Sequence, residues 1–275
     1  MPKLLVNGIN FHYWQVGEGP NLIMLHGLSG NLALWHLELV PTFRGEYRIL
    51  TYDLRGHGRS DMTSSGYTTR DMAEDLRGIM DALGVQRAHL LGHSLGADIA
   101  LHFSLLYPER VDRIVAIEAG IAALAHERKR EEWPGWAYWA SMLEKYGGVR
   151  VPPEKWQDIA YMLRETLKVP IVFGLARGLP RKDDRILKLV ETTTLVKDYE
   201  ETAGMTIDAL ARVTHPVLLV YGSHSQYLGT YDVLREVLPN CTPVLLEGAD
   251  HLSPVERPHE LPKHIRVFLQ PAGDQ

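Results

Sequence analysis

Two hydrophobic periods alternate along this chain. Leu4 to Asn7 and Phe11 to Val16 flank Asn7-Gly8, and an asparagine-glycine pair between two such runs supplies the turn of an antiparallel hairpin. Asn21 to His26 is a continuous apolar run, residues 32–44 repeat with helical spacing, and Tyr47 to Asp53 forms a further strand. A helix from Thr69 to Leu83, a strand through Ala88 to Leu91, a helix after Ser94 and a strand from Arg113 to Glu118 follow. The same rhythm returns late, with strand 217–222, helix 231–238, strand 243–247 and helix 258–269. Strands apolar on both faces and separated by helices imply a parallel sheet covered on two sides. The predicted fold class is therefore α/β, a mostly parallel central sheet with helices on both faces.

Residues 120–212 break the rhythm. They are helical in character, lack strand patterns, and hold Trp133, Trp136, Tyr138, Trp139, Met142, Trp156, Tyr161 and Met162. Four of the six tryptophans fall within one stretch of 24 residues, which points to a local role rather than a general core. This division gives a core domain of residues 1–119 and 213–275, with a helical cap, 120–212, inserted between the sixth and seventh strands. The cap is expected to lie over the sheet's carboxyl edge, with Trp133, Trp136, Trp139, Tyr138 and Met142 lining a substrate pocket. The competing reading is that such rings only join the cap helices to each other. Exposed cap tryptophans would also offer a surface on which two copies could pair as a homodimer.

Composition narrows the partners. A chain of 275 residues with 45% apolar content can bury one large core. The net charge is −5, the isoelectric point is about 6.2, and no long basic run occurs, so nucleic acid is not expected as a partner. The longest apolar runs, such as Val217 to Tyr221, fall far short of the roughly 20 residues needed to span a bilayer, and Met1-Pro2-Lys3-Leu4 lacks the layout of a secretion signal. No membrane contact and a cytoplasmic location are expected. Cys241 is the single cysteine, which excludes an intrachain disulfide and a cysteine metal cluster. No His, Asp and Glu set has metal-ligand spacing, no G-x-G-x-x-G fingerprint appears, and no cofactor is expected.

The chemistry centres on Gly92-His93-Ser94-Leu95-Gly96, which follows the apolar run Ala88 to Leu91 and precedes Ala97 to Leu101. A buried strand that turns at once into a helix leaves room only for glycine on either side of the turn, and the strained turn aims the serine hydroxyl outward. Ser94 is the predicted nucleophile. A serine of ordinary pKa needs a base within hydrogen-bond reach. His251, in the loop Glu247-Gly248-Ala249-Asp250-His251-Leu252 directly after the last strand, would emerge at the same sheet edge. His126, His215, His259 and His264 read as solvated, and His26, His57 and His93 as structural.

With these residues in place the chain resembles the α/β-hydrolase superfamily over nearly all of its length outside the cap. His26-Gly27-Leu28 looks like the family's oxyanion loop, Asp53-Leu54-Arg55-Gly56-His57-Gly58-Arg59-Ser60 like the segment after its fourth strand, Gly92 to Gly96 like its nucleophile turn, and Gly248 to His251 like its histidine loop. The resemblance implies that the backbone N–H groups of Leu28 and Leu95 form the oxyanion hole. Asp53, Arg55, Arg59 and Asp61 are read as scaffolding held by ion pairs within the loop.

One position departs from the family pattern. The usual acid lies three places after the glycine that ends the seventh strand, and here that position is Ser225. A histidine base needs an anion to fix its tautomer, and Glu118, closing an apolar run on the strand expected beside that of Ser94, is the predicted substitute. A charge there is costly without a partner, and a salt bridge to a cap arginine is the alternative use. Asp98 and Asp250 rank below it. This placement is similar to that in some haloalkane dehalogenases and in the fungal lactonases that open zearalenone, and Ser94 points to acyl chemistry. The expected function is a serine hydrolase of small-molecule carboxylic esters or lactones. Its rivals are a C–C bond hydrolase of ring-fission products, a small-molecule receptor on the same fold, and a cofactor-free haloperoxidase.

Overall fold

A computed structural model of the chain describes residues 2–28, 30–124, 133–167, 185–257 and 259–270. Its centre is an eight-stranded sheet in the order β1-β2-β4-β3-β5-β6-β7-β8. The strands are β1 (Lys3–Val6), β2 (Ile9–Val16), β3 (Asn21–Leu25), β4 (Arg48–Tyr52), β5 (Ala88–His93), β6 (Val111–Ile117), β7 (Val217–Gly222) and β8 (Cys241–Leu246). The β1–β2 hairpin and the β2–β4 pairing are antiparallel, and every pairing from β4 through β8 is parallel. Asn7 and Gly8 both take positive φ, 51° and 76°, as the predicted two-residue hairpin turn requires.

The central strands are apolar throughout because both of their faces are covered. Ile23, Leu25, Leu90, Ile114, Leu219 and Tyr221 join one core cluster, and Leu22, Met24, Leu91, Val115, Leu218 and Val220 join the other. Neighbouring residues of one strand thus divide between the two sides, as the two-residue period of a strand demands. Helices α3 (Thr69–Ala82) and α4 (Leu95–Leu106) cover the first side. Thr68 and Asp71 cap α3 reciprocally, the threonine hydroxyl accepting the Asp71 N–H. Among the described residues, no helix is long and apolar enough to cross a membrane.

Four elements differ from expectation. The helix predicted over 32–44 is two short helices, α1 (Ala33–His36) and α2 (Leu39–Phe43). Pro41 explains the break, because inside a continuous helix its ring would strike the carbonyl of Leu37. The helix expected at 231–238 begins at Leu228, and the last helix begins at Leu261 rather than 258, with Pro262 accommodated in its first turn. Cys241 opens β8 instead of preceding it, half-buried, and burial pushes its thiol up to about 11.

The segment read as a cap contains the helices Pro134–Gly147, Ile159–Leu167, Arg185–Thr192, Leu195–Asp198 and Ile207–Leu210. It packs in two ways. Ala140, Leu143, Val151 and Met162 form a small cluster of their own, whereas Ile186, Leu189, Leu195, Met205 and Leu210 belong to the main core. His126 and the tail 271–275 lie outside the described residues.

Candidate active site

Ser94 stands between the end of β5 and the start of α4 at φ 54° and ψ −124°. For a residue with a Cβ this is a strained conformation that costs on the order of 1–3 kcal/mol, held only where the surroundings enforce it. The surroundings here are tight backbone contacts. A Cβ at Gly92 would lie 2.2 Å from the Gly96 carbonyl oxygen, and one at Gly96 would lie 2.1 Å from that of Leu25. Both glycines flanking Ser94 are therefore obligatory. A Cβ at Gly27 would approach Ser94 Cβ to 3.0 Å, so the loop His26-Gly27-Leu28 runs directly beside the serine. Leu95 is the first residue of α4, where N–H groups have no partner within the helix and the dipole is positive.

The parallel ladder carries the neighbouring strand to the same edge. Ser94 N–H donates to Ile117 O at 2.9 Å, and Glu118 N–H donates to Val220 O at 2.9 Å. Each pairing lies one step beyond its strand. Glu118 also has positive φ, 55°, which turns it off the end of β6, and its side chain is fully buried. Its Oε1 accepts the Gly222 N–H at 2.6 Å; its Oε2 accepts the Ser225 hydroxyl at 2.5 Å and lies 3.3 Å from His251 Nδ1. The glutamate partner is the histidine, not a cap arginine.

His251 is fixed from its backbone as well. His93 Nε2 donates to the His251 carbonyl at 2.9 Å, and the two rings lie 5.0 Å apart. A Cβ at Gly222 would come within 2.2 Å of Ala249 O, so the histidine loop presses on the end of β7. Among the described residues no hydrogen bond joins Ser94 Oγ to His251. The contact between Glu118 and His251 is formed, and Ser94 stands at the same sheet edge without a hydrogen bond to the ring.

Burial governs the electrostatics. It lowers His251 to about 4, against the pull of the Asp250 carboxylate, so the imidazole is neutral at pH 7 and able to take a proton. It raises Glu118 to about 8, opposed by the hydrogen bonds from Ser225 and Gly222 and assisted by Asp250. His93 is lowered to about 3, chiefly by burial.

Several neighbours escaped the sequence reading. Ser225 is a donor to Glu118 that also accepts the Tyr227 N–H at 3.0 Å. Asp98, a rival for the acid by sequence, instead accepts the N–H groups of Gly120 and Ile121 at 2.9 and 3.1 Å, clamping the turn after Glu118. Asp250 accepts the Leu252 N–H at 2.7 Å, a bond within its own loop. Tyr227 stacks at 4.8 Å from His251 and at 5.6 Å from Trp133, which in turn meets Trp136 edge-on at 5.1 Å. An aromatic path runs from the start of the helix Pro134–Gly147 to the imidazole. Trp139 takes another role, its Nε1 donating to Thr166 Oγ1 of the helix Ile159–Leu167 at 2.8 Å, while Tyr138 and Met142 are half-buried on the same helix as Trp139.

The charged loop after β4 is held from outside rather than by ion pairs of its own. Asp53 meets His12 Nδ1 at 2.7 Å and accepts the N–H groups of Leu32 and Arg59; Arg55 pairs with Asp75 of α3 through two contacts of 2.6 Å; Asp61 takes Asn10 and Lys3. Among the described residues, no group of three or more His, Cys, Asp or Glu side chains is arranged to hold a metal ion.

Comparison with known proteins identifies the family and the fold. A family described as the alpha/beta hydrolase fold matches residues 20–258. The RutD protein of Pseudomonas syringae pv. syringae strain B728a, whose name provisionally assigns it carbamate hydrolysis, is 29% identical over 267 residues, covering 94% of this chain and 97% of its own. The meta-cleavage product hydrolase CumD of Pseudomonas fluorescens IP01 superposes with a TM-score of 0.70 at 21% identity, over 98% of this chain and 97% of that one. The enol-lactonase of Burkholderia xenovorans LB400 gives 0.70 at 20%, over 98% and 99%. With the family pattern matched from β3 to the loop beyond His251, the chain belongs to the alpha/beta hydrolase fold family.

Proposed function

We propose that this protein is a serine hydrolase of carboxylic esters or lactones, with Ser94 as nucleophile, His251 as base, and Glu118 as the acid that orients it. The observation that carries the reading is the contact of 3.3 Å between His251 Nδ1 and the buried Glu118, one strand away from the strained serine. With Glu118 ionised, the proton of His251 sits on Nδ1 and leaves the Nε2 lone pair free for the serine. Ser94 Oγ then bonds to the substrate carbonyl carbon as Nε2 takes its proton. The N–H groups of Leu28 and Leu95 hold the resulting oxyanion, and each such donor is worth on the order of a hundredfold or more in rate. Collapse breaks the carbon–oxygen bond to the leaving alkoxide, which takes the proton from Nε2. Water then repeats the sequence on the acyl-enzyme, and the acid and Ser94 are released.

The segment 120–212 acts in this proposal as a cap, with Trp133 and Trp136 as the apolar wall nearest the base. A relative named for carbamate hydrolysis and a structural neighbour named as a lactonase support acyl chemistry on this fold. Rapid mixing with p-nitrophenyl esters tests it, alongside a turnover screen of lactones and open-chain esters. The expected result is a burst of p-nitrophenolate equimolar with enzyme. Saturable ligand binding with neither burst nor turnover would replace the enzyme by a receptor.

A further inference from the structure

A cleft of about 280 Å³ lies beside α3 and the end of α4, away from Ser94, lined among others by Arg70, His102, Leu106, Gly204 and Arg212. Helix α4 connects the two places, and eight residues at 1.5 Å rise separate Ser94 from His102 by about 12 Å along its axis. Neither arginine has a carboxylate partner among the described residues. Arg70 reaches only the Ala203 carbonyl, at 3.4 Å, and Arg212 only that of Asp208, at 3.3 Å. Glu74, whose carboxyl Arg70 helps hold below its ordinary range, is bonded by Arg77 at 3.1 Å and by the Tyr107 hydroxyl at 2.5 Å.

His102 makes this more than a pair of surface cations. The residue is 1% exposed, its Nδ1 lies 2.8 Å from Thr69 Oγ1, and its Nε2 has no hydrogen-bond partner among the described residues although the side chain forms part of the cleft wall. The cleft wall includes Arg70 in the first turn of α3 and Ser104 to Leu106 in the last turn of α4.

We propose that Arg70, Arg212 and His102 form a binding site for a small phosphoryl dianion, inorganic phosphate or a phosphomonoester. A phosphomonoester carries a charge of about −1.5 to −2 near neutral pH, which matches two guanidiniums where a single carboxylate does not. Guanidinium forks bind such oxygens in pairs, and His102 would donate from Nε2 to a third oxygen. The site is independent of the ester chemistry at Ser94.

The test is a titration of the full-length protein, labelled with ¹⁵N in histidine, using inorganic phosphate and glycerol phosphate at constant ionic strength. His102→Gln identifies the ring signal. The expected result is a saturable shift of the His102 Nε2 resonance at millimolar phosphate, weakened about tenfold or more by Arg70→Ala or Arg212→Ala, which corresponds to at least 1.4 kcal/mol. Arg70→Ala should leave p-nitrophenyl ester turnover unchanged, so this inference and the hydrolase reading stand or fall separately. A linear, unsaturable response, or one equal in wild type and both arginine variants, would overturn the site. Succinate matching phosphate in affinity would overturn the phosphoryl assignment.

Discussion

The sheet's carboxyl edge and the helix Pro134–Gly147 with Trp133 before it both place conspicuous side chains near His251, but they constrain them differently. At the sheet edge, backbone ladders set the positions: Ser94 N–H to Ile117 O, Glu118 N–H to Val220 O and Gly222 N–H to the Glu118 carboxyl leave little freedom. In the helical stretch, Trp133 reaches the site only through ring contacts with Tyr227 and Trp136, and Trp139 faces inward to Thr166. Hydrogen-bonded strand ends fix geometry to fractions of an ångström, whereas apolar contacts fill space and tolerate repacking. Chemistry should therefore fail abruptly on mutation at the edge, and selectivity should drift on mutation in the cap.

The largest break is Ser94→Ala. Turnover of a short p-nitrophenyl ester should fall by a factor on the order of a million while the thermal transition stays in place; wild-type rates would remove the serine mechanism. Glu118→Gln should follow, because an amide keeps the shape but no longer fixes Nδ1–H, a change on the order of ten-thousandfold in comparable relays. Asp250→Asn should cost far less, since Asp250 bonds its own loop. Steady-state kcat/KM of the two variants gives the ranking directly.

A finer probe of the edge is pH. The relay needs Glu118 ionised and His251 neutral. Because burial raises the first to about 8 and lowers the second to about 4, kcat/KM should climb with pH through about 8 and be low on the acid side. Ser225 donates to the carboxylate and so favours its charged form. Ser225→Ala should therefore push the climb to higher pH, by about one unit for a loss of about 1.5 kcal/mol. A pH profile unchanged in this variant would show that Ser225 does not hold the acid.

The smallest effects belong to the cap. Trp133→Ala should raise KM for bulky apolar esters several-fold with little change in kcat. Trp139→Ala should lower stability by roughly 2 kcal/mol and leave KM unchanged. Chemical denaturation and substrate-length series separate the two, and equal behaviour of both variants would erase the distinction between a site-facing and an inward ring.

How much of this was legible in the sequence follows the same division. Gly92, Ser94 and Gly96 are readable because a strand-to-helix turn admits so few residues, and the apolar run ending at Glu118 is readable because an unpaired charge there would be expensive. The helix at 32–44 was misread by periodicity alone, which ignores the clash of Pro41 with the Leu37 carbonyl. Ser225 was visible as a missing acid but not as a donor, since that role depends on a backbone turn after β7. Tyr227 left no signal, because only the fold places it against His251 and Trp133. Asp98 looked like a competing acid, and only the positive φ of Ile121, 49°, reveals the turn it clamps.

The central claim is that the serine at the end of β5 is activated by His251 through Glu118. The most direct test is the rate and site of labelling by a fluorophosphonate, read by mass spectrometry of digested protein. The account predicts one adduct, on Ser94, formed at a rate that collapses in Glu118→Gln and is nearly preserved in Asp250→Asn. An adduct on another residue, no adduct at all, or a slower reaction in Asp250→Asn than in Glu118→Gln would contradict it.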